Sequence, residues 1–374
     1  MPRFLFSSEG WPYLLVPFIP IALILEFTHA GAVPTFFAST LGVIPTAALM
    51  GRATEELAAR AGPGIGGLLN VTFGNAPELI IALFALEAGL HEVVKASLLG
   101  SVLGNTLLVL GAAALVGGLG RDRQRFDRSA ASAQASMLLL AMAALVMPAI
   151  FVLDEGEGLP SPGAEIVDYA STVEYLSLGV AIVLILSYIG GLWFSLRTHR
   201  DLFNPAHGGD DEERGEPHHE EPWSVRKSVV ALAIAGAAVG LMSEVLVGAI
   251  TETAEQINLS QFFIGAVVVA IVGNAAEHWV AVLVAAKNKM DLAVNIAIGS
   301  SAQIALFVAP VLVLASYFIG PYPMPLVFNG FELAALVAAG LIANQVTQDG
   351  ESTWFEGIQL LCVWIVIAVA FLIA

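Results

Sequence analysis

Cysteine is almost absent from this chain: Cys362 is the only one in 374 residues. That excludes a disulfide framework and a thiolate metal site. Charge is also scarce, at 13% of residues against 57% hydrophobic, a balance that a soluble domain of this size does not keep in solution. Signatures of an intramembrane hydrolase are missing as well. His91-Glu92 lacks the second histidine of a zinc helix, Gly208-Gly209-Asp210 sits in a polar stretch instead of a span, and no serine elbow occurs. The first ten residues carry one arginine and no small-residue cleavage pattern, so the first apolar helix is expected to be retained. Nothing here suggests an enzyme, a cofactor or a nucleic-acid partner.

What is there is a succession of apolar runs from Trp11 to Ile373, each long enough for the roughly 17–25 residues that cross a bilayer. They predict an all-α polytopic membrane protein with eleven transmembrane helices near 11–28, 34–60, 66–89, 92–119, 131–153, 173–196, 228–256, 261–286, 290–319, 325–346 and 353–373. Basic residues test that count, because they gather on the cytoplasmic side. Arg3, Arg52, Arg60, Arg121, Arg123, Arg125, Arg128, Arg197, Arg200, Arg226, Lys227, Lys287 and Lys289 all fall on one side of the alternating spans. Loops on the other side, Asp154 to Asp168 and Thr251 to Ser260, are neutral or acidic. The N-terminus is therefore expected in the cytoplasm and the C-terminus outside. Net charge is −17, but eight of the acidic residues crowd between Asp201 and Glu221 beside one arginine. That segment reads as a solvated linker, with a Ca2+-collecting or regulatory role as the alternative.

The most informative pattern is a repeat. Gly74-Asn75-Ala76-Pro77-Glu78 returns as Gly273-Asn274-Ala275-Ala276-Glu277, 199 positions later, and the same offset carries Gly100-Ser101 onto Gly299-Ser300. Five helices per copy is an odd number, so the second copy crosses the membrane upside down. The expected organisation is an extra N-terminal helix over 1–32, a first five-helix repeat over 33–196, an acidic cytoplasmic linker over 197–226 and a second repeat over 227–374.

Glu78 and Glu277 fall near the middles of their expected helices, where a bare carboxylate is costly and needs a partner. With no lysine or arginine expected at that depth, a proton or a bound cation must neutralise each. A protonated glutamate hydrogen-bonded in a bundle is the plainer reading, and duplication of the residue argues against it. Oxygen donors surround the pair: Asn75 and Asn274 three residues before each Glu, Ser101 and Ser300 on the following helices, then Asn105 and Gln303. This hard-oxygen set suits Ca2+ better than Zn2+ or Cu2+. Gly74 and Gly273, with Pro77, are expected to loosen the helices and free carbonyls beside the site, or to serve close packing. Two carboxylates balance one divalent ion, and without it each takes up a proton. Ca2+ and H+ then exclude one another at the same atoms, which gives antiport if only the neutralised protein changes its facing.

These paired Gly-Asn-Ala-x-Glu segments, the Glu277-His278 pair and the Gly-Ser segments resemble the Ca2+/H+ exchanger (CAX) family of calcium/cation antiporters. The resemblance spans nearly the whole chain. It implies eleven helices, an extra first helix, two inverted halves with an acidic segment between them, and Ca2+/H+ antiport centred on Glu78 and Glu277. Sodium-coupled relatives carry a Gly-Ser-Asn type motif in the second half, whereas this chain has Gly299-Ser300-Ser301-Ala302-Gln303, which favours protons as the counter-ion. Mn2+ stays open as an alternative cargo. A cation channel would also place glutamates in a pore, but it gives no reason for an inverted repeat around one enclosed site.

Further acids suggest a cation or proton path: Glu244, Glu252 and Glu255 on one face of the seventh span, Glu55 and Glu56 in the first half, and Glu332 in the tenth span. Glu252 and Glu255 read equally as solvated helix-end residues, and Glu56 as a partner of Arg52. His278 could relay protons or simply pack through a hydrogen bond. The expected partners are Ca2+, protons and the lipid bilayer, with oligomeric state open. The compact length suggests a prokaryotic inner membrane, with Ca2+ exported against inward proton flow.

Overall fold

A computed structural model describes residues 10–156, 158–162, 171–198 and 223–374. The acidic segment expected as a linker lies outside the described residues, apart from its edges. The remainder is a bundle of helices: α1 Trp11–Phe27, α2 Ala32–Gly74, α3 Ala76–Glu87, α4 His91–Gly118, α5 Arg128–Asp154, α6 Ser171–Trp193, α7 Val225–Ile257, α8 Gln261–Gly273, α9 Ala275–Ala286, α10 Met290–Ala315, α11 Gly330–Val346 and α12 Trp354–Ile373. Among the described residues, seven helices are long and apolar enough to span a bilayer. The count is eight if α8 and α9, bent by 60° at Asn274, form one broken span, while α1 and α11 are shorter apolar helices.

Local chemistry starts these helices where the sequence offers a cap. The Asp127 carboxylate accepts from Ser129 N and Ala130 N at the start of α5, and Ser224 and Ser260 cap α7 and α8 in the same way. Asn329 with Glu332, and Thr353 with Glu356, form capping boxes on α11 and α12. The expected helix 325–346 is thereby corrected: it begins at Gly330. Pro323 and Pro325 lack the N–H a helix needs, so the buried segment Met324 to Phe328 runs without helical bonds. Met324 N instead donates to Ser316 Oγ at 2.8 Å, and Leu326 N to Ser177 Oγ at 3.0 Å.

The expected division between 34–60 and 66–89 takes an unforeseen form. Helical bonding runs from Ala32 to Gly74 without a break, yet a Cβ on Gly66 would collide with the Ala58 carbonyl eight residues earlier. A straight helix separates such positions by about 12 Å, so α2 turns back on itself there. The true interruption falls at Asn75.

Loops segregate to two faces. On one, Gln124–Arg125 pairs antiparallel with Glu351–Ser352, Gln124 Nε2 donates to the Ala285 carbonyl at 2.9 Å, and Trp223 meets Glu56 and Arg60. On the other, Tyr322 lies edge-on to His91, Pro321 touches Gly89, and Tyr317 reaches Glu174. Every described lysine or arginine except Lys95 lies in or beside the first set. Small residues let the helices approach closely: Gly100 lies against the backbone of Ala266, and Gly357 against Gly111. Single wide π turns mark α4 at Gly104–Val109 and α10 at Asn295–Gly299 and Ile304–Val308. Such turns gather near functional sites.

Candidate cation site

The two signature segments build the centre of the bundle, but their acids do not sit mid-helix as the sequence suggested. Asn75 and Asn274 interrupt their spans, and Glu78 and Glu277 stand in the first turns of α3 and α9. In the first copy Pro77 withdraws an N–H at this junction. The second copy breaks at the same place without a proline, with Asn274 at φ −100° and ψ 2°. Each carboxylate therefore meets the positive end of a short helix. Asn and Glu do not share a continuous helical face; the Asn side chains leave from the break itself.

Contacts cross between the copies. Glu78 packs beside Gly273, where an added Cβ would stand 3.5 Å from its Cγ, and a Cβ on Gly74 would stand 3.9 Å from Glu277 Oε1. Ser300 Oγ donates to Asn75 Oδ1 at 2.8 Å, while Asn274 Nδ2 donates to Ser101 Oγ at 3.2 Å. Asn75 Nδ2 also donates to Gln303 Oε1 at 2.7 Å, and His278 Nε2 lies 2.9 Å from Asn105 Oδ1. The structure thus brings together Glu78, Glu277, Asn75, Asn274, Ser101, Ser300, Gly74, Gly273, Asn105, Gln303 and His278.

Two oxygens at this centre are open. Glu78 Oε2 and Asn274 Oδ1 are buried and accept no hydrogen bond. Asn274 Nδ2 donates to the Ala270 carbonyl at 3.0 Å; a carbonyl only accepts, so the other amide atom is the oxygen. A cavity beside Glu78 is lined by Ser97, Ser101, Ala270 and Gly273. Among the described residues no three His, Cys, Asp or Glu side chains gather as a resident metal cluster. Any cation here would be held by the two carboxylates with neutral amide and hydroxyl oxygens, a set suited to a hard divalent ion.

The outlying acids divide. Glu55 is exposed on the basic face. Glu56 accepts the Trp223 N–H at 2.8 Å, a contact that competes with any role in a cation path. Glu244 is exposed midway along α7. Glu252, bonded to Gln256 Nε2 at 2.9 Å, and Glu255 are exposed in the last turns of α7, at the opposite face. Glu332 is a capping residue whose Oε2 accepts from Asn329 N at 2.8 Å. Its neighbour Lys95 was not foreseen: it is 6% exposed, and its Nζ donates to the Val327 carbonyl at 2.9 Å. The signal for it was in the sequence, as the one described basic residue off the basic face. Ser97 and Trp223 were missed because neither belongs to the repeated motifs.

A helical membrane bundle with two acids at broken helices, and donors exchanged between matching segments, is the architecture of secondary cation transporters. The chain belongs to the sodium/calcium exchanger protein family, whose model matches residues 31–197 and 227–373. It is 45% identical to the Ca2+/H+ antiporter ChaA of Bacillus subtilis (strain 168) over 354 residues, covering 94% of this chain and 96% of that protein. The Ca2+/H+ antiporter of Synechocystis is 42% identical, covering 96% of each chain. Among solved structures, native YfkE is 40% identical with a TM-score of 0.79, covering 97% of this chain and 100% of that one. The H+/Ca2+ exchanger CAX shares the fold, with a TM-score of 0.71 at 16% identity over 99% of this chain and 93% of that chain.

Proposed function

We propose that the protein is a Ca2+/H+ antiporter in which Glu78 and Glu277 hold either one Ca2+ or protons, in alternation. The observation that carries this is the reciprocal packing of each glutamate on the glycine beside the other copy's break, with Glu78 Oε2 and Asn274 Oδ1 left open. Asn75, Ser101, Ser300, Asn105 and Gln303 order the surrounding oxygens, and His278 is held by Asn105. The relatives named Ca2+/H+ antiporters, matched over nearly their full length, support the choice of ions.

The finer architecture is part of the same reading. Pairing Gly66–Gly74 with α3, and α8 with α9, as broken spans gives eleven crossings: an extra helix over 1–32 and two inverted repeats over 33–196 and 227–374, joined by a linker over 197–226. The wide turns at Gly104–Val109 and Ile304–Val308 support the repeat, since they recur at nearly the motif offset. The basic face is cytoplasmic by the positive-inside rule, so the N-terminus lies inside and the C-terminus outside. Bacterial relatives of matching length support a prokaryotic inner membrane, with Ca2+ leaving the cell as protons enter.

The test is Ca2+ flux in sealed vesicles under an imposed pH gradient, for the parent and for Glu78→Gln and Glu277→Gln. Flux that follows the pH gradient, ignores Na+ and vanishes in both variants is the expected result. Flux that requires Na+ makes the protein a sodium-coupled exchanger, and Mn2+ competition reads the breadth of cargo. Flux indifferent to either gradient makes it a channel. Full exchange in either variant overturns the assignment of the central pair.

A further inference from the structure

The short helix α9 carries Glu277 in its first turn and ends at Ala286. It begins at a break, for Asn274 interrupts the span and α8 meets α9 at 60°. A helix joined through such a break takes little of its direction from the helix before it. Near the break, α9 is tied to α4 by Asn274 on Ser101 at 3.2 Å and His278 on Asn105 at 2.9 Å. Its far end is gripped by the loop between α4 and α5, residues 119–127, on the basic face. Arg121 Nη2 donates to the Ala286 carbonyl at 3.1 Å, and Gln124 Nε2 donates to the Ala285 carbonyl at 2.9 Å and to Asn288 Oδ1 at 3.2 Å.

This grip is built from several sides. The last carbonyls of a helix have no partner within it and form its negative end, so an amide and a guanidinium complete them. Gln124 is 1% exposed, and Arg121 is steadied by donating from Nη1 to the Gly117 carbonyl in the last turn of α4. Gly117 also makes room for α9, since a Cβ there would stand 2.8 Å from the Ala285 carbonyl oxygen. The repeat offset of 199 carries Arg121 onto Gly320, where a Cβ would stand 2.5 Å from the carbonyl oxygen of Leu86 in the last turn of α3. In both copies the same loop position meets the far end of the other copy's short helix, with side-chain donors at α9 and with backbone at α3.

We propose that Arg121 and Gln124 are positioning residues for Glu277: by holding the last two carbonyls of α9 they set the tilt of this helix, and with it the direction in which its first turn presents the carboxylate. α9 has 12 residues and is about 18 Å long. It contains neither glycine nor proline, the usual causes of a kink, so it moves as a rod. Released at Ala286, it tilts about its ties to Ser101 and Asn105, and Glu277 turns against the oxygens of Glu78 and Ser101, which belong to α3 and α4. Both residues act through α9 and from outside the ligand shell. The inference rests on Glu277 as a ligand of the transported cation.

The experiment is Ca2+ flux by the full-length protein in proteoliposomes under a fixed pH gradient, with apparent KM and kcat resolved. Arg121→Met is expected to raise KM about tenfold, the low end for groups that orient metal ligands from outside. Arg121→Lys keeps a donor for the helix end and returns KM toward the parental value. A purely structural role would reduce the amount of folded protein, hence flux per protein, and leave KM alone. Loss of a positive charge makes the basic face more attractive to Ca2+ and would lower KM, so a rise has the opposite sign to a bulk charge effect. Arg123→Met is the control, because Arg123 bonds Glu351, and it keeps the parental KM. A folded Arg121→Met protein with parental or lower KM overturns the proposal, as does an equal rise in Arg123→Met. If Arg121→Met does not fold, Gln124→Leu is read in its place on the same terms. Retained flux in Glu277→Gln would instead remove the site reading, so the two failures are distinguishable.

Discussion

Asn274→Ala separates the two matching asparagines. Asn274 keeps Oδ1 buried and open while its Nδ2 is committed to the Ala270 carbonyl and Ser101. Asn75 is already engaged at both ends, accepting from Ser300 and donating to Gln303. If the open oxygens face the cation, removing Asn274 Oδ1 costs a bond to a charged partner, about 2 kcal/mol, which is about a thirtyfold rise in KM for Ca2+. Asn75→Ala removes two bonds between neutral groups, about 1 kcal/mol each. Its effect belongs mainly to stability, with KM rising less than about fivefold on the same scale. Initial Ca2+ flux at a fixed pH gradient gives KM, and thermal unfolding in detergent gives stability. A KM for Asn75→Ala equal to or above that of Asn274→Ala would refute the assignment of the open oxygens.

Three further outcomes follow from the packing. Gly100→Ala drives a Cβ into the backbone of Ala266, whereas a Cβ on its repeat mate Gly299 would stand 3.4 Å from Asn295 Oδ1; overpacking at the first site costs about 1–3 kcal/mol or more, so the melting temperature falls for Gly100→Ala and holds for Gly299→Ala. Lys95→Met removes the donor to the Val327 carbonyl and leaves that buried acceptor unpaired, a loss of about 1–3 kcal/mol read as a lower melting temperature in the same unfolding assay. On the basic face, the hydrogen bond and charge of Arg123 hold the Glu351 carboxyl below its usual range. A lowered carboxyl contributes above its unfolded value of about 4.3 and loses that contribution as pH falls through the lower folded one. Protection against hydrogen exchange in the Gln124–Arg125 and Glu351–Ser352 strands, relative to the intrinsic rate at each pH, is therefore expected to fall only at acid pH, and Glu351→Gln to remove that dependence.

The repeat was legible because Gly-Asn-Ala-x-Glu and Gly-Ser recur in one register; the helix starts were less so, since the tenth span was expected to begin before its Asn329 cap. The place of the glutamates was not. Periodicity carries an apolar pattern straight through Asn75 and Asn274, and the second copy lacks even the proline that marks a break in the first. The break is a tertiary effect, formed where matching segments of the two copies meet. Lys95 likewise lies in an apolar run, and its burial depends on the irregular stretch Met324 to Phe328, more than 200 residues away. The Glu56 and Arg60 side chains bond the Trp223 backbone 167 and 163 positions away, and no local pattern records such a contact.

Because Glu78 rests on Gly273 and Glu277 on Gly74, ownership of the binding centre is shared. Neither copy holds a complete set of oxygens, so a half expressed alone would fold its own helices around an unfinished mouth. Two halves made as separate polypeptides contain every contact described at the centre. On the proposed site the two repeats act as halves of a covalent dimer, so activity should survive cutting between the copies while failing for either partner alone.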